Sequence, residues 1–463
     1  MRLRSVFAAA AVTVLAVSSP VAQAITPFEV DPAVPPPPGT TGPLQPMAQS
    51  GACVTTGVLP GTDPAAPSPN DKLLDLAGAW KYSRGAGQLV AVIDTGVRPG
   101  PRLPDVEGGG DYVEATNGLT DCDGHGTLVA GLIAGKPGPD GFSGVAPDAR
   151  ILSIRSTSAH YAPRVAGQQN SATARVALDV AILARAVVRA ADMGARVINI
   201  SAVTCLPAGE TVDQSELGAA LRYAAVEKDA VIVAAAGNNK PGLNPGSACP
   251  SNPLSDPGRP EDPRNWAGVT AVSIPSAWQP YVLSVGSLTP TGRPSDFTMA
   301  GPWVSIAAPG QDIVSVGNAD GGGLANAVPD QQGRLYPLNS SSFAAAYVSG
   351  VAALVRARFP ELTAEQVRDR LIAGAQGAAR APSNLTGYGL VDPVAALTWD
   401  VSAAVGDDTA PGPKPVAAPP EPEAPDTTGR IVAFVGTGLL AVLVAAAAVA
   451  VQRRRKTQDT EES

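Results

Sequence analysis

The chain has 463 residues, 44% of them hydrophobic and 16% charged, with a net charge of −8. That length accommodates one large enzyme domain with appendages, or two to three average domains. The acidic balance excludes a basic surface for nucleic acid, and the Pro content, concentrated in two segments, does not describe disorder throughout.

The first 24 residues read "MRLRSVFAAAAVTVLAVSSPVAQA". Arg2 and Arg4 precede an apolar run, and Ala22-Gln23-Ala24 fits a small-residue cleavage site, so residues 1–24 are expected to be a signal peptide. Residues 25–70 are rich in Pro, Gly, Thr and Ser and lack a hydrophobic period, which predicts an extended arm rather than a folded propeptide. "DKLLDLAGAW" (71–80) opens the body as a short amphipathic helix.

Apolar runs then alternate with helical periods. Strands are expected at 88–94, 150–156, 195–201, 230–238, 281–288 and 303–310, and helices at 126–135, 174–194, 215–228, 338–359 and 363–375. Apolar strands without polar alternation, each feeding a helix, predict a mostly parallel sheet covered by helices on both faces. This α/β domain spans 71–399, and a Pro/Ala-rich linker follows over 400–429. Ile431 to Val451 is uncharged; as a helix it would rise about 31 Å, enough to span a bilayer core. "RRRK" follows immediately, which predicts one transmembrane helix (430–452), a cytoplasmic tail (453–463) and a body outside the cytoplasm at the cell membrane.

Cys53, Cys122, Cys205 and Cys249 are spaced too widely for a C-x-x-C metal pattern, and in an exported chain they suggest two disulfides. Three pairings are open. Cys53–Cys122 with Cys205–Cys249 is preferred, since the first would tie the arm to the body and the second would close one long surface loop. No cofactor and no metal are expected: Asp121 and Asp123 flank Cys122, but no loop has EF-hand spacing.

In open parallel sheets, ligands sit beyond the carboxyl ends of the strands. Asp94 ends the strand "QLVAVID", and His125 lies in "DCDGHGTLVAGLIAG" at the start of an apolar helix, where the dipole favours a neutral imidazole. The other histidine, His160, lies in a polar loop and reads as surface. "LNSSSFAAAYVSG" supplies a serine at a helix start. A hydroxyl nucleophile needs an adjacent base, and the base an orienting acid. No G-x-S-x-G elbow exists in the chain, so the Ser-Asp-His order of an α/β-hydrolase is not followed.

The order Asp, His, Ser, in its "DTG" and "GHGT" surroundings, resembles the subtilisin-like serine proteases. Their serine box, G-T-S-x-A-x-P, falls on Ser342 as nucleophile; Ser340 stands where Gly is usual, Ser341 where Thr is usual and Ala346 where Pro is usual. "VIVAAAGNN" is similar to the family's A-A-G-N box, which implies that the Asn238 amide stabilises the oxyanion together with the nucleophile's own N–H. "VINISA" resembles the strand that pairs with extended substrate, which implies polypeptide binding at Ser201 and Ala202. The resemblance covers roughly residues 71–398.

With its leader, arm and single span, the whole chain resembles the mycosins, the membrane-anchored subtilases of type VII secretion systems. That resemblance implies an exported endopeptidase that processes secreted proteins, an arm that wraps the domain without blocking its cleft, and attachment to subunits of a secretion complex. The alternative is a structural subunit that braces such a complex with catalysis dispensable.

Overall fold

The computed structural model describes residues 25–164, 171–240, 248–377, 382–400 and, further on, 437, 439–440 and 442–451. The leader, the tail and nearly all of the expected linker lie outside the described residues.

The body is built on a nine-stranded sheet. Its strands in chain order are β1 (Leu89–Asp94), β2 (Val106–Asp111), β3 (Arg150–Arg155), β4 (Val197–Ile200), β5 (Val231–Ala235), β6 (Val282–Leu288), β7 (Val304–Pro309), β8 (Gln376–Gly377) and β9 (Gly389–Leu390). Across the sheet the order is β8-β9-β7-β6-β5-β4-β1-β3-β2. Only the edge pair β8–β9 is antiparallel, and all other pairs are parallel. On one side of β1 the strands follow in chain order from β4 to β7, and on its other side lie β3 and then β2, so the direction of chain progression switches at β1, where crevices form in open sheets.

Successive residues of β1 alternate between two cores, as a strand buried on both faces requires. Val90 and Val92 join a cluster with helices α1 (His125–Ala134) and α4 (Ser341–Arg358). Leu89, Ala91 and Ile93 join a second cluster with α2 (Ala172–Asp192) and α3 (Ser215–Arg222). Helix α5 (Ala364–Ala373) opens with a capping box from Thr363 and Gln366.

Three expectations differ in detail. The helix over 71–80 is two short turns, Pro69–Leu73 and Leu76–Ala79, broken at Asp75, whose φ is 45° and whose carboxylate caps Gly78 N–H at 3.1 Å. The helix over 215–228 ends at Arg222 and continues as a π turn, Tyr223–Glu227. β2, "VEGGGD", was not expected at all, because glycines carry no strand preference; its pairing with β3 places it.

The arm is pinned along its length. Phe28 stacks on Trp278 with ring centroids 5.2 Å apart. Met47–Gln49 pairs antiparallel with Tyr161–Pro163. Gly42, Val54 and Gly57 each donate a backbone hydrogen bond of 2.9 Å to the body, at Asp111, Cys122 and Ala327. The structure pairs Cys53 with Cys122 and Cys205 with Cys249. His160, read as surface, is half-buried beneath the arm, where its carbonyl accepts the Ser50 N–H at 2.8 Å.

Among the described residues no helix is long and apolar enough to cross a membrane. Of the expected span, residues 437, 439–440 and 442–451 are described, and all are helical.

Candidate active site

β1 delivers Asp94 to its carboxyl end fully buried. One oxygen, Oδ1, accepts the Thr95 N–H at 2.7 Å and meets His125 Nδ1 at 2.8 Å. A carboxylate only accepts, so Nδ1 carries the ring proton and the lone pair sits on Nε2. Among the described residues nothing bonds that Nε2.

Both glycines around His125 are required. Gly124 has φ 75°, and a Cβ there would come 2.7 Å from the Thr56 methyl of the arm. A Cβ on Gly126 would lie 2.0 Å from the Gly96 carbonyl. The start of α1 therefore packs against the end of β1 with no room for side chains.

Asp121 organises the same turn. Its Oδ1 accepts Thr95 Oγ1 at 2.8 Å, Asp123 N–H at 3.2 Å and Gly124 N–H at 2.8 Å, and its Oδ2 accepts the Thr127 N–H at 2.8 Å and the Thr127 hydroxyl at 2.6 Å. Burial drives its carboxyl up to about 6, opposed by the Thr127 and Thr95 bonds. This carboxylate serves the helix start. Among the described residues no group of three or more acidic, histidine or cysteine side chains is placed to hold a metal ion.

The electrostatics of His125 differ from the helix-start argument. Burial would lower the ring's affinity for a proton, but the charge and hydrogen bond of Asp94, joined by the charges of Asp121 and Asp123, raise it above its usual 6.5. Close carboxylates outweigh a dipole that only disfavours cations at the first turn.

Helix α4 carries Ser342 in its first turn. The ring of Phe343, the next residue, lies 5.3 Å from the His125 ring. The Ser342 hydroxyl donates to the Ser201 carbonyl at 3.2 Å and accepts from Ser340 Oγ at 3.0 Å. Asn238, just past β5, accepts the Ser341 N–H on Oδ1 at 3.0 Å, which fixes which end of the amide faces the helix start. Ser201 follows β4; its hydroxyl accepts from Asn199 Nδ2 at 2.8 Å, and Asn199 Oδ1 accepts the Ser349 hydroxyl of α4 at 2.9 Å. Ala202 lines an adjoining crevice with Thr157, Asp179, Ile182, Val203 and Ile274. Two hydrogen-bonded groups thus lie at the carboxyl edge of the parallel sheet, Asp94 with His125 and Ser342 with Asn238, Ser340 and Ser201. The His125–Phe343 ring contact joins them, and the Ser342 hydroxyl bonds the Ser201 carbonyl rather than His125 Nε2.

This arrangement contains a buried acid, an imidazole oriented by it, a hydroxyl at a helix start and a fixed amide donor. The model of the subtilase family matches residues 85–389. The chain is 59% identical to Mycosin-3 of Mycobacterium tuberculosis (strain ATCC 25618 / H37Rv), covering 98% of this chain and 99% of that one. The chain belongs to the subtilase family, among its mycosins.

This subtilase is a serine endopeptidase of subtilisin-like fold. Its body resembles the solved structure of MycP3 protease from the type VII (ESX-3) secretion system, with a TM-score of 0.78 and 70% identity over 81% of this chain and 100% of that one. It also resembles a chain of an intact ESX-5 inner membrane complex, with a TM-score of 0.79 and 46% identity over 92% of this chain and 99% of that one.

Two residues at the site escaped the sequence reading. Asp121 was weighed only as a metal ligand, although its place four residues before His125 is a signal for the loop that holds the helix start. Asn199, inside the apolar strand β4, is fully buried and ties that strand to α4 by accepting the Ser349 hydroxyl.

Proposed function

We propose that Asp94, His125 and Ser342 are the catalytic triad of this endopeptidase. Asn238 Nδ2 and the Ser342 N–H are the oxyanion donors, and Ser201 and Ala202 pair with an extended polypeptide substrate. The observation that carries the reading is the buried 2.8 Å bond between Asp94 and His125, which leaves the Nε2 lone pair available as base.

His125 Nε2 takes the Ser342 proton as Oγ bonds to the scissile carbonyl carbon. The carbonyl electron pair moves to oxygen and is held by the two donors. Collapse restores the carbonyl, breaks the C–N bond and sends the Nε2 proton to the leaving amine. Water, deprotonated by the same nitrogen, then hydrolyses the acyl-serine.

The domain works on secreted proteins outside the cytoplasm, after removal of residues 1–24, and is held by a single C-terminal helix as a subunit of a type VII secretion complex. In support, residues 442–451 are helical with their valines and leucine exposed, as a lipid-facing helix would be. The related structures named above come from such systems. A second reading, a bracing subunit, draws on the arm's disulfide and many body contacts.

A fluorophosphonate probe tests the triad: it should label Ser342 and fail on Ser342→Ala, and a folded chain never labelled there would end the reading. Secretion by Ser342→Ala cells separates catalysis from bracing. Deletion of 431–451 should release the domain from the membrane fraction; retention would refute the anchor.

A further inference from the structure

The two proposed oxyanion donors are already engaged. Asn238 Nδ2 donates to Ser340 Oγ at 3.1 Å, and the Ser342 N–H donates to the same oxygen at 3.1 Å. Ser340 is fully buried. Its hydroxyl proton goes to Ser342 Oγ at 3.0 Å, and the Ser342 proton goes on to the Ser201 carbonyl at 3.2 Å. One hydroxyl oxygen thus sits where two donors converge, and its own proton engages the nucleophile.

A helix cap explains only part of this. As the residue before α4, Ser340 needs only the bond from the Ser342 N–H to serve as cap. The bond from the Asn238 amide and the bond to Ser342 Oγ contribute nothing to capping. Both are specific to the catalytic apparatus, and both depend on a hydroxyl at position 340, where the family pattern has glycine.

Resting on the triad reading above, we infer that the Ser340 hydroxyl occupies the oxyanion site of the resting enzyme and must turn out of it before a scissile carbonyl can enter. The oxygen is a neutral stand-in for the oxyanion: it accepts the same two hydrogen bonds. The backbone at Ser340, with φ −168° and ψ 150°, is ordinary extended chain, so turning the side chain requires no backbone change. Substrate relieves the arrangement from both ends. Its carbonyl competes for the Asn238 and Ser342 donors, and its extended backbone competes for the Ser201 carbonyl, freeing the Ser342 proton to face His125. The enzyme is therefore braked until a peptide fills both positions.

The test is the second-order rate of fluorophosphonate labelling at Ser342 in the full-length chain, comparing wild type with Ser340→Ala and Ser340→Gly. Both variants remove the occupant and should label faster, on the order of tenfold, the scale expected for one to two net hydrogen bonds. Ser340→Ala should at the same time lower the unfolding midpoint through loss of the cap, whereas glycine retains most of the cap's value. A merely structural Ser340 would slow labelling and lower stability together. Equal or slower labelling of both variants overturns the brake and leaves the triad standing. If all three proteins are folded and none labels at Ser342, the triad reading fails and the brake fails with it.

Discussion

His125 Nδ1 lies 2.8 Å from Asp94 Oδ1, with both side chains buried at the end of one central strand. The bond fixes the tautomer, and the carboxylate charge raises the ring's proton affinity above its usual value of 6.5. A general base must be neutral, so kcat/KM should rise with pH through a midpoint above 6.5 and level off beyond it. The effect on stability has the opposite sign. Because the folded-state value is raised, the stabilisation from protonated His125 is fully present below pH 6.5 and is lost as pH rises through the folded value. A pH–rate profile with a midpoint below 6.5 would contradict this.

Asp94→Asn offers Nδ1 an amide in place of a charge and permits the wrong tautomer. Activity should fall about 10⁴-fold, as when a triad aspartate is replaced elsewhere. The midpoint of the pH–rate profile should move down at the same time. Steady-state kinetics on a peptide substrate measure both.

Asn238→Ala removes one of the two proposed oxyanion donors. The expected loss is roughly 10²- to 10³-fold in kcat with KM little changed, because the interaction strengthens only as charge develops. A loss confined to KM would show that Asn238 binds substrate instead.

Asp121→Asn keeps size but not acceptor capacity. The Thr127 N–H and hydroxyl both bond Oδ2, so an amide group there would face two donors. Burying an unsatisfied donor costs about 1–3 kcal/mol, and the turn that sets His125 loosens. Urea unfolding should show that loss, together with slower labelling of Ser342; an unchanged midpoint would show that the five bonds to Asp121 are dispensable.

The Cys53–Cys122 bridge closes a loop with a sequence separation of 69. The chain-entropy estimate for such a loop is about 4 kcal/mol. Cys53→Ser should lower stability by up to that amount and expose the arm to proteolysis near residue 53. Equilibrium unfolding and limited proteolysis of the variant check this.

Much of the fold was legible because its local chemistry is unambiguous. The uniform apolar run "LVAVID" has no exposed face to allow, and its six buried residues agree. Asp94 and His125 stand out in the sequence because each lies at the end of an apolar element where a polar side chain has no packing purpose, whereas Ser342, among three serines, and Asn238 are singled out only by resemblance to the subtilase boxes. β2 was illegible for the converse reason: Glu107 and three glycines carry no strand signal, and only hydrogen bonding to β3 makes them a strand.

Sequence alone thus determined the layers, the parallel sheet and the residue types at its carboxyl edge, since these follow from the spacing of apolar residues along the chain. Tertiary structure decided who bonds to whom: Asp121 to the His125 turn, Asn199 to Ser349, and Ser340 to both Asn238 and Ser342. Hydropathy has a period that can be read along one segment. A hydrogen bond is directional and short, and when its partners are more than 100 residues apart, as Asn238 and Ser340 are, only the folded backbone sets its geometry.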